Sequence, residues 1–345
     1  MLKILITGGA GYLGNILVER LLLNNLLMSN GANELVVNGY GILDEPRFHI
    51  NEKLKITVLD NLLFKQTNLT EYCYRDDFGF IYGDVRNNEL MKKLINSHDI
   101  IIPLAAIVGM PACNKSPNET KQINQEVIEF IAKESSSSHR IIFPTTNSGY
   151  GLGTSNDLGL MYCTEETELN PISLYGVTKV NAEKVLLDKG NAVTLRLATA
   201  FGISPRMRLD ILVNDFTYRA FTDKYIVLFE SHFKRNFIHV KDVARTFVFT
   251  INNFNEMLGK PYNVGLSNAN LSKLELCEKI KEQIPNFFIT ESEINKDPDK
   301  RNYIVSNKKL ESLGWYTNHT LESGIKELIR AYSIISNNNK QFTNL

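Results

Sequence analysis

Short apolar runs recur through the first two hundred residues, separated by segments whose apolar positions repeat every three or four residues. The runs are Leu2 to Ile6, Ile56 to Leu59, Phe80 to Tyr82, Ile100 to Leu104, Ile141 to Pro144 and Val193 to Leu197. They are nearly continuous in Ile, Val, Leu and Phe, the pattern of strands covered on both faces. Leu13 to Leu23, Leu90 to Ile95 and Gln122 to Glu134 read as helices between them. This alternation predicts an α/β fold built on a doubly wound parallel sheet. Farther along, Ile211 to Ala220, Val240 to Ile251, Lys273 to Gln283 and Leu321 to Ile334 predict helices around short strands. They would form a smaller C-terminal α/β lobe over the carboxyl edge of the sheet, where ligands bind in such folds. The expected division is residues 1–200 for the sheet domain and 201–335 mainly for a substrate lobe interleaved with it, with 336–345 a polar tail; Ser135 to Ser138 reads as a loop.

The junction of the first strand and first helix carries chemistry. Thr7-Gly8-Gly9-Ala10-Gly11-Tyr12-Leu13-Gly14 sets a glycine turn directly after the strand. Glycine permits positive φ and a backbone approach that a Cβ would block, so a pyrophosphate can lie on such a turn. The N–H groups opening the helix then hold the anion. This is a Rossmann-type cradle, with Gly8, Gly11 and Gly14 as its contacts, flanked by Tyr12 and Leu13. The acidic residue for the adenosine ribose normally follows by about 20 residues. Here Asp60, followed by Asn61, comes far later, so residues 28–55 read as an insertion, with Asn38-Gly39 a hairpin-type turn inside it.

Composition narrows the partners. Lysine plus arginine and aspartate plus glutamate number 38 each, so the net charge is zero and nothing points to nucleic acid. The longest apolar stretch, Ile100 to Met110, contains Pro103 and is too short to span a bilayer. No leader precedes the first strand, and the four cysteines and six histidines show neither disulfide nor metal spacing. A reducing cytoplasm, no membrane and no metal are the expectations.

Tyr175 and Lys179, four apart, share one helix face. Thr146 stands in Phe143-Pro144-Thr145-Thr146-Asn147-Ser148-Gly149-Tyr150-Gly151, a strand end running into small and hydroxyl residues. Together with the glycine turn, Leu104-Ala105-Ala106 and Phe237-Ile238-His239-Val240-Lys241-Asp242-Val243-Ala244, these resemble the extended short-chain dehydrogenase/reductase family. The likeness is to its nucleotide-sugar epimerases, dehydratases and dehydrogenases and spans roughly residues 1 to 330. It implies NAD as cofactor, with Asp60 on the ribose hydroxyls, Asp84 (with Val85) at the adenine, and Leu104, Ala105 and Ala106 close to the dinucleotide. Asp84 also reads as a helix N-cap. The resemblance makes Tyr175 the base, Lys179 the cation that favours its phenolate and binds the nicotinamide ribose, and Thr146 the holder of the reacting oxygen.

The residues after Thr146 select among reactions. The family's 4,6-dehydratases carry an acid and a carboxylate there; Asn147 and Ser148 provide neither. Cys113 stays open as a thiol base or a packed residue. Arg206, Arg208, Arg235 and Arg301 match places where cations would meet a diphosphate, with Asn214 near the base and Thr199 where many relatives have asparagine. The resemblance implies a nucleotide-sugar substrate, and a homodimer or higher homo-oligomer is expected. Thr145 to Gly151 with Ser204 to Asp210 looks most like enzymes of bacterial capsular polysaccharide biosynthesis that oxidise C4 of GDP-D-glycero-D-manno-heptose. A UDP-hexose 4-epimerase is the alternative, and a silent NAD-binding sensor a second one, disfavoured because Tyr175 and Lys179 are both present.

Overall fold

A computed structural model describes residues 1–30, 50–156, 159–292 and 300–335. The expected Asn38-Gly39 turn, most of the insertion and the polar tail lie outside those residues.

Seven strands pair in parallel throughout. They include β1 (Leu2–Thr7), β2 (Leu54–Asp60), β3 (Phe78–Tyr82), β4 (Ile100–Pro103) and β5 (Arg140–Thr146), followed by Ala192–Leu197 and Pro261–Val264. From one edge the order is β3, β2, β1, β4, β5, Ala192–Leu197, Pro261–Val264. Every predicted strand is present, each within two residues of its expected ends. The continuous apolar runs follow from burial on both faces. Ile4, Ile6, Ile56, Val58, Ile100 and Ile102 pack into a core with helix α1 (Tyr12–Asn30) and helix Val240–Asn252. Their neighbours Leu5, Leu59, Ile101 and Ile141 point the opposite way, to helices Asn88–Asn96, Val127–Glu134 and Leu174–Lys189.

Pro103 is the last residue of a central strand, a kind of strand from which proline is normally excluded. The Leu104 N–H donates to Thr7 O at 2.9 Å, so the direction in which an N–H of Pro103 would point is toward β5. Pairing of β4 with β5 has already ended at Ile101 and Ile141, so no ladder bond is lost.

A second core lies above the carboxyl ends of the strands, around Phe201, Val213, Phe237, Leu276, Ile325 and Leu328. It is framed by helices Leu212–Thr222, Lys273–Lys281 and Leu321–Tyr332 and by a three-stranded sheet of Thr199–Phe201, Lys234–His239 and Asn270–Ser272. Tyr12 packs against both cores. Its hydroxyl donates to Gly202 O at 2.7 Å, and the Ser204 hydroxyl donates to Tyr12 O at 2.7 Å. The residue that opens α1 therefore also clamps the lobe.

A buried ion pair ties helix Leu174–Lys189 to the sheet. Arg196 donates through Nε and Nη2 to Glu183 Oε1 at 2.9 and 2.6 Å, and through Nη1 to Tyr150 Oη and Glu165 O. Removing one member of a buried pair strands the other charge, at a cost of about 3–5 kcal/mol. Glu183→Ala should lose stability of that order in urea unfolding, whereas Glu183→Leu combined with Arg196→Met should recover most of it.

Candidate active site

The strand order reverses between β1 and β4, because the chain leaves β1 toward β2 and returns on the other side as β4. A crevice forms at such a switch point. Gly8 (φ 72°) turns the chain there, and a Cβ on it would stand 2.6 Å from Ala105 N and 2.9 Å from the Leu104 carbonyl carbon. Gly14 is equally constrained: its Cβ would meet Gly9 O at 2.5 Å. The turn is thus a cradle that only glycine allows, opening onto the N–H groups at the head of a 19-residue helix. Asp60 closes it: Oδ2 accepts the Ala10 N–H at 3.0 Å and Oδ1 the Leu62 N–H at 2.8 Å. Burial holds its carboxyl above the usual range while these two donors pull it back. The residues fit a dinucleotide, with glycine where the backbone must approach and a carboxylate at the end of β2.

Thr146 ends β5, and its Oγ1 accepts the Ser148 N–H at 3.0 Å, capping the turn Asn147–Tyr150. Its hydroxyl donates to Ser148 Oγ at 2.9 Å, and Arg301 Nη1 donates to the same Ser148 oxygen. Asn147 is buried, and among the described residues neither amide atom has a hydrogen-bond partner. Tyr175 stands in the first turn of helix Leu174–Lys189, which Ser173 caps by accepting the Gly176 N–H and Gly190 ends in the left-handed conformation.

Burial dominates both members of the tyrosine–lysine pair. Tyr175 is pushed up to about 12, chiefly by desolvation; Cys113 and Tyr303 add to the rise, and Arg208 and Arg301 oppose it. Lys179 is pushed down to about 7 by burial, with Glu183 opposing, and its Nζ lies 3.9 Å from the centre of the Phe143 ring. The expectation is that the Lys179 ammonium and a positive nicotinamide together favour the phenolate; the protein's own groups leave Tyr175 raised, with Arg208 and Arg301 as the opposing charges.

Other expected roles change as well. Asn214 is fully buried and committed internally, its Oδ1 accepting the Gly202 N–H at 3.0 Å and its Nδ2 donating to Arg208 O at 2.8 Å, so it braces the lobe instead of facing a base. Asp84 does not cap the following helix: Asn87 does, accepting the Leu90 N–H, while Asp84 pairs with Arg86 at 2.6 Å. Cys113 is wholly buried, donates to Ile107 O at 3.4 Å and is raised by burial, so it is a packed thiol. Arg206 lies 4.4 Å from the centre of the Phe64 ring, Arg208 pairs with Asp210, and Arg235 lies over Tyr303. Thr199 heads the short strand beside Phe237. Asn61 accepts the Leu63 N–H, and Val85 packs in the core.

Two contributors escape sequence reasoning. Asn124, inside a single π turn (Gln122–Glu126), donates to Ile107 O and accepts the Ile107 N–H, pinning the loop after β4. A buried asparagine within a helical run is its only signal. Ser148 reads in the sequence only as a missing carboxylate. Among the described residues, no cluster of His, Cys, Asp and Glu could hold a metal, and no helix is long and apolar enough to cross a membrane.

Comparison with known proteins bears on the family and the fold. A family model described as the NAD dependent epimerase/dehydratase family matches residues 4–265. The chain is 24% identical to a low-salt glycan biosynthesis protein of Haloferax volcanii, covering 96% of this chain and 98% of that one. It is 25% identical to a putative UDP-glucose 4-epimerase of Methanocaldococcus jannaschii, covering 98% and 99%. The fold is similar to that of UDP-glucuronic acid 4-epimerase from Bacillus cereus, with a TM-score of 0.77 and 21% identity over 96% and 99% of the two chains.

Lys179 binds its proton less readily in the folded protein, so between about pH 7 and the ordinary lysine value of 10.5 the unfolded chain carries the extra proton. Stability should therefore rise with pH through that window, and below it the cost of burying an ammonium is fully present. Lys179→Met should flatten the rise, which for one such group is at most roughly 1.4 kcal/mol per pH unit. Urea unfolding of both proteins at pH 6.5, 8 and 9.5 measures it.

Proposed function

The chain belongs to the NAD dependent epimerase/dehydratase family, and on that premise we propose that it oxidises C4 of a nucleotide-activated sugar without eliminating water. The observation that carries the reading is the end of β5, where the Thr146 hydroxyl is followed by an amide and a hydroxyl, Asn147 and Ser148. Eliminating water beside a new ketone needs a proton donor and a carboxylate base, and neither side chain provides one.

NAD is the cofactor of the family; when bound it supplies the hydride acceptor and a positive nicotinamide. The Gly8 to Gly14 turn and the first N–H groups of α1 would hold its diphosphate, and Asp60 a ribose. Tyr175 removes the proton of the C4 hydroxyl as the C4 hydrogen leaves with its electron pair, and the carbonyl forms between C4 and its oxygen. A phenol held near 12 is a poor base at neutral pH, so the charges of Arg208 and Arg301 matter to the step. Thr146 holds the reacting oxygen. Arg206, Arg208 and Arg235 stand as the diphosphate-binding cations, and Thr199 as a weaker contact.

Two products are compatible with this chemistry. We favour a UDP-sugar 4-epimerase, supported by the likeness to the putative UDP-glucose 4-epimerase. Release of a 4-keto sugar from GDP-D-glycero-D-manno-heptose is the second reading, supported by the Thr145–Gly151 and Ser204–Asp210 blocks. Incubation with UDP-glucose and, separately, with the GDP-heptose in deuterated water, followed by NMR, separates them. Inversion at C4 without added oxidant is the expected result; a 4-keto product with lasting NADH absorbance selects the second reading, and a 4-keto-6-deoxy sugar overturns the proposal.

Tyr175→Phe should lower turnover by about 10²- to 10⁴-fold while leaving NAD binding intact. Asp60 should also set cofactor choice, because a carboxylate repels a 2′-phosphate. Fluorescence titration should show NAD bound more tightly than NADP, with Asp60→Asn narrowing the gap; a wild type that prefers NADP would contradict the role given to Asp60.

A further inference from the structure

Arg301 was expected at a diphosphate, yet it reaches the end of β5. The segment Arg301 to Tyr303 returns from the smaller lobe and is fixed on two sides. Asn302 Oδ1 accepts the Lys234 N–H at 2.8 Å, and the Asn302 N–H donates to Gly151 O at 3.3 Å. Gly153 (φ 67°) lets this segment lie against the turn, since a Cβ there would stand 3.0 Å from Asn302 O. Tyr303 is buried, with its ring 6.2 Å from that of Tyr150. Held in this way, the segment delivers the Arg301 guanidinium to Ser148.

A guanidinium can only donate. Ser148 Oγ accepts from Arg301 and from the Thr146 hydroxyl, which occupies both of its lone pairs. The Ser148 proton is left to point outward as a donor. Thr146 Oγ1, which accepts the Ser148 N–H, has its own proton committed to Ser148, so the Ser148 hydroxyl is the donor of the pair that remains for a substrate oxygen. Replacing the donor-only arginine by a group that can accept would let this pair of hydroxyls reverse.

We propose that Arg301 is a positioning residue for proton transfer at C4, setting the direction of the Ser148–Thr146 hydroxyl pair and holding a fixed positive charge beside Tyr175. The proposal rests on the reading of Tyr175 as the base. The groups acting on Tyr175 from other elements are Cys113 and Tyr303, which disfavour its phenolate, and Arg208 and Arg301, which favour it. Arg208 is paired with Asp210 at 2.5 Å, which offsets part of its charge.

The test tracks the tyrosine itself. With tyrosine labelled with ¹³C at Cζ and NAD bound, the Tyr175 signal is identified by its loss in Tyr175→Phe and titrated from pH 7 to 11. In Arg301→Gln its midpoint should move up by about half to one pH unit, while Arg301→Lys stays nearer the wild type. On whichever nucleotide sugar the wild type turns over, the acid limb of kcat should move in the same direction in Arg301→Gln, with KM changed less than threefold. Coinciding titration curves, or a tenfold rise in KM with an unmoved limb, overturn the proposal in favour of a diphosphate contact. Retention of turnover in Tyr175→Phe would defeat the functional reading instead, and the substrate-free titration tells the two failures apart.

Discussion

The molecule is organised by one close approach, that of the Gly8 turn to the backbone at Leu104 and Ala105. Neighbouring parallel strands β1 and β4 send their chains to opposite sides of the sheet, and the gap between the departing loops can be narrow only if one of them lacks a side chain. Gly8 meets that condition with a conformation closed to other residues. The head of α1, the end of β2 with Asp60 and the loop pinned by Asn124 are all set around that gap. Tyr12 carries the constraint farther, since the residue that starts the helix also bonds to Gly202 and Ser204 of the lobe. The lobe and the turn that would hold a dinucleotide are thereby tied through one residue.

Chemistry in this crevice is governed by desolvation and its partial correction. Tyr175 is raised and Lys179 lowered because each charged form loses water, and the protein counters with charges of limited reach. Glu183 illustrates the limit. It favours the Lys179 ammonium, yet its carboxylate is already shared with Arg196, so the correction is incomplete. A site of this kind is sensitive to any further charge brought into it, and a positive nicotinamide is such a charge. The same logic makes the Glu183–Arg196 ion pair part of the functional site, because it fixes both the helix bearing Tyr175 and the charge facing Lys179.

The sheet was legible because its signal is local: strands covered on both faces are nearly continuous in apolar residues, and the six predicted runs carry that pattern with few interruptions, such as Lys3, Thr57 and Arg196. The glycine turn was legible for the same reason. The features that escaped depend on partners distant in sequence. Asn214 looks like a polar residue available for a ligand until Gly202 and Arg208 are seen to use it. Asp84 and Asn87 are both plausible caps, and only the actual start of the helix decides between them. Cys113 could not be assigned because reactivity depends on exposure, and it has none. The seventh strand, Pro261–Val264, is short and was hidden among helical patterns, although it completes the sheet.

The end of β5 shows how one scaffold can yield different products. In the reaction proposed above, Thr146, Tyr175 and Lys179 would serve only the first loss of a proton and a hydride at C4, so these residues would not determine the fate of the ketone. The next two positions can. A carboxylate at position 148 would bring a negative charge to the place where Arg301 now donates, and the pair would form an ion pair able to accept a proton. With serine there, the arginine donates to a neutral oxygen, its charge is not cancelled at that contact, and the only protons in the chain of hydroxyls are those of Ser148 and Thr146. Asn147 adds an amide that cannot give up a proton. In the proposed reaction, positions 147 and 148 would therefore supply hydrogen-bond donors beside the oxygen at C4, with the Arg301 charge behind them and no base beyond Tyr175 to act on the neighbouring carbons.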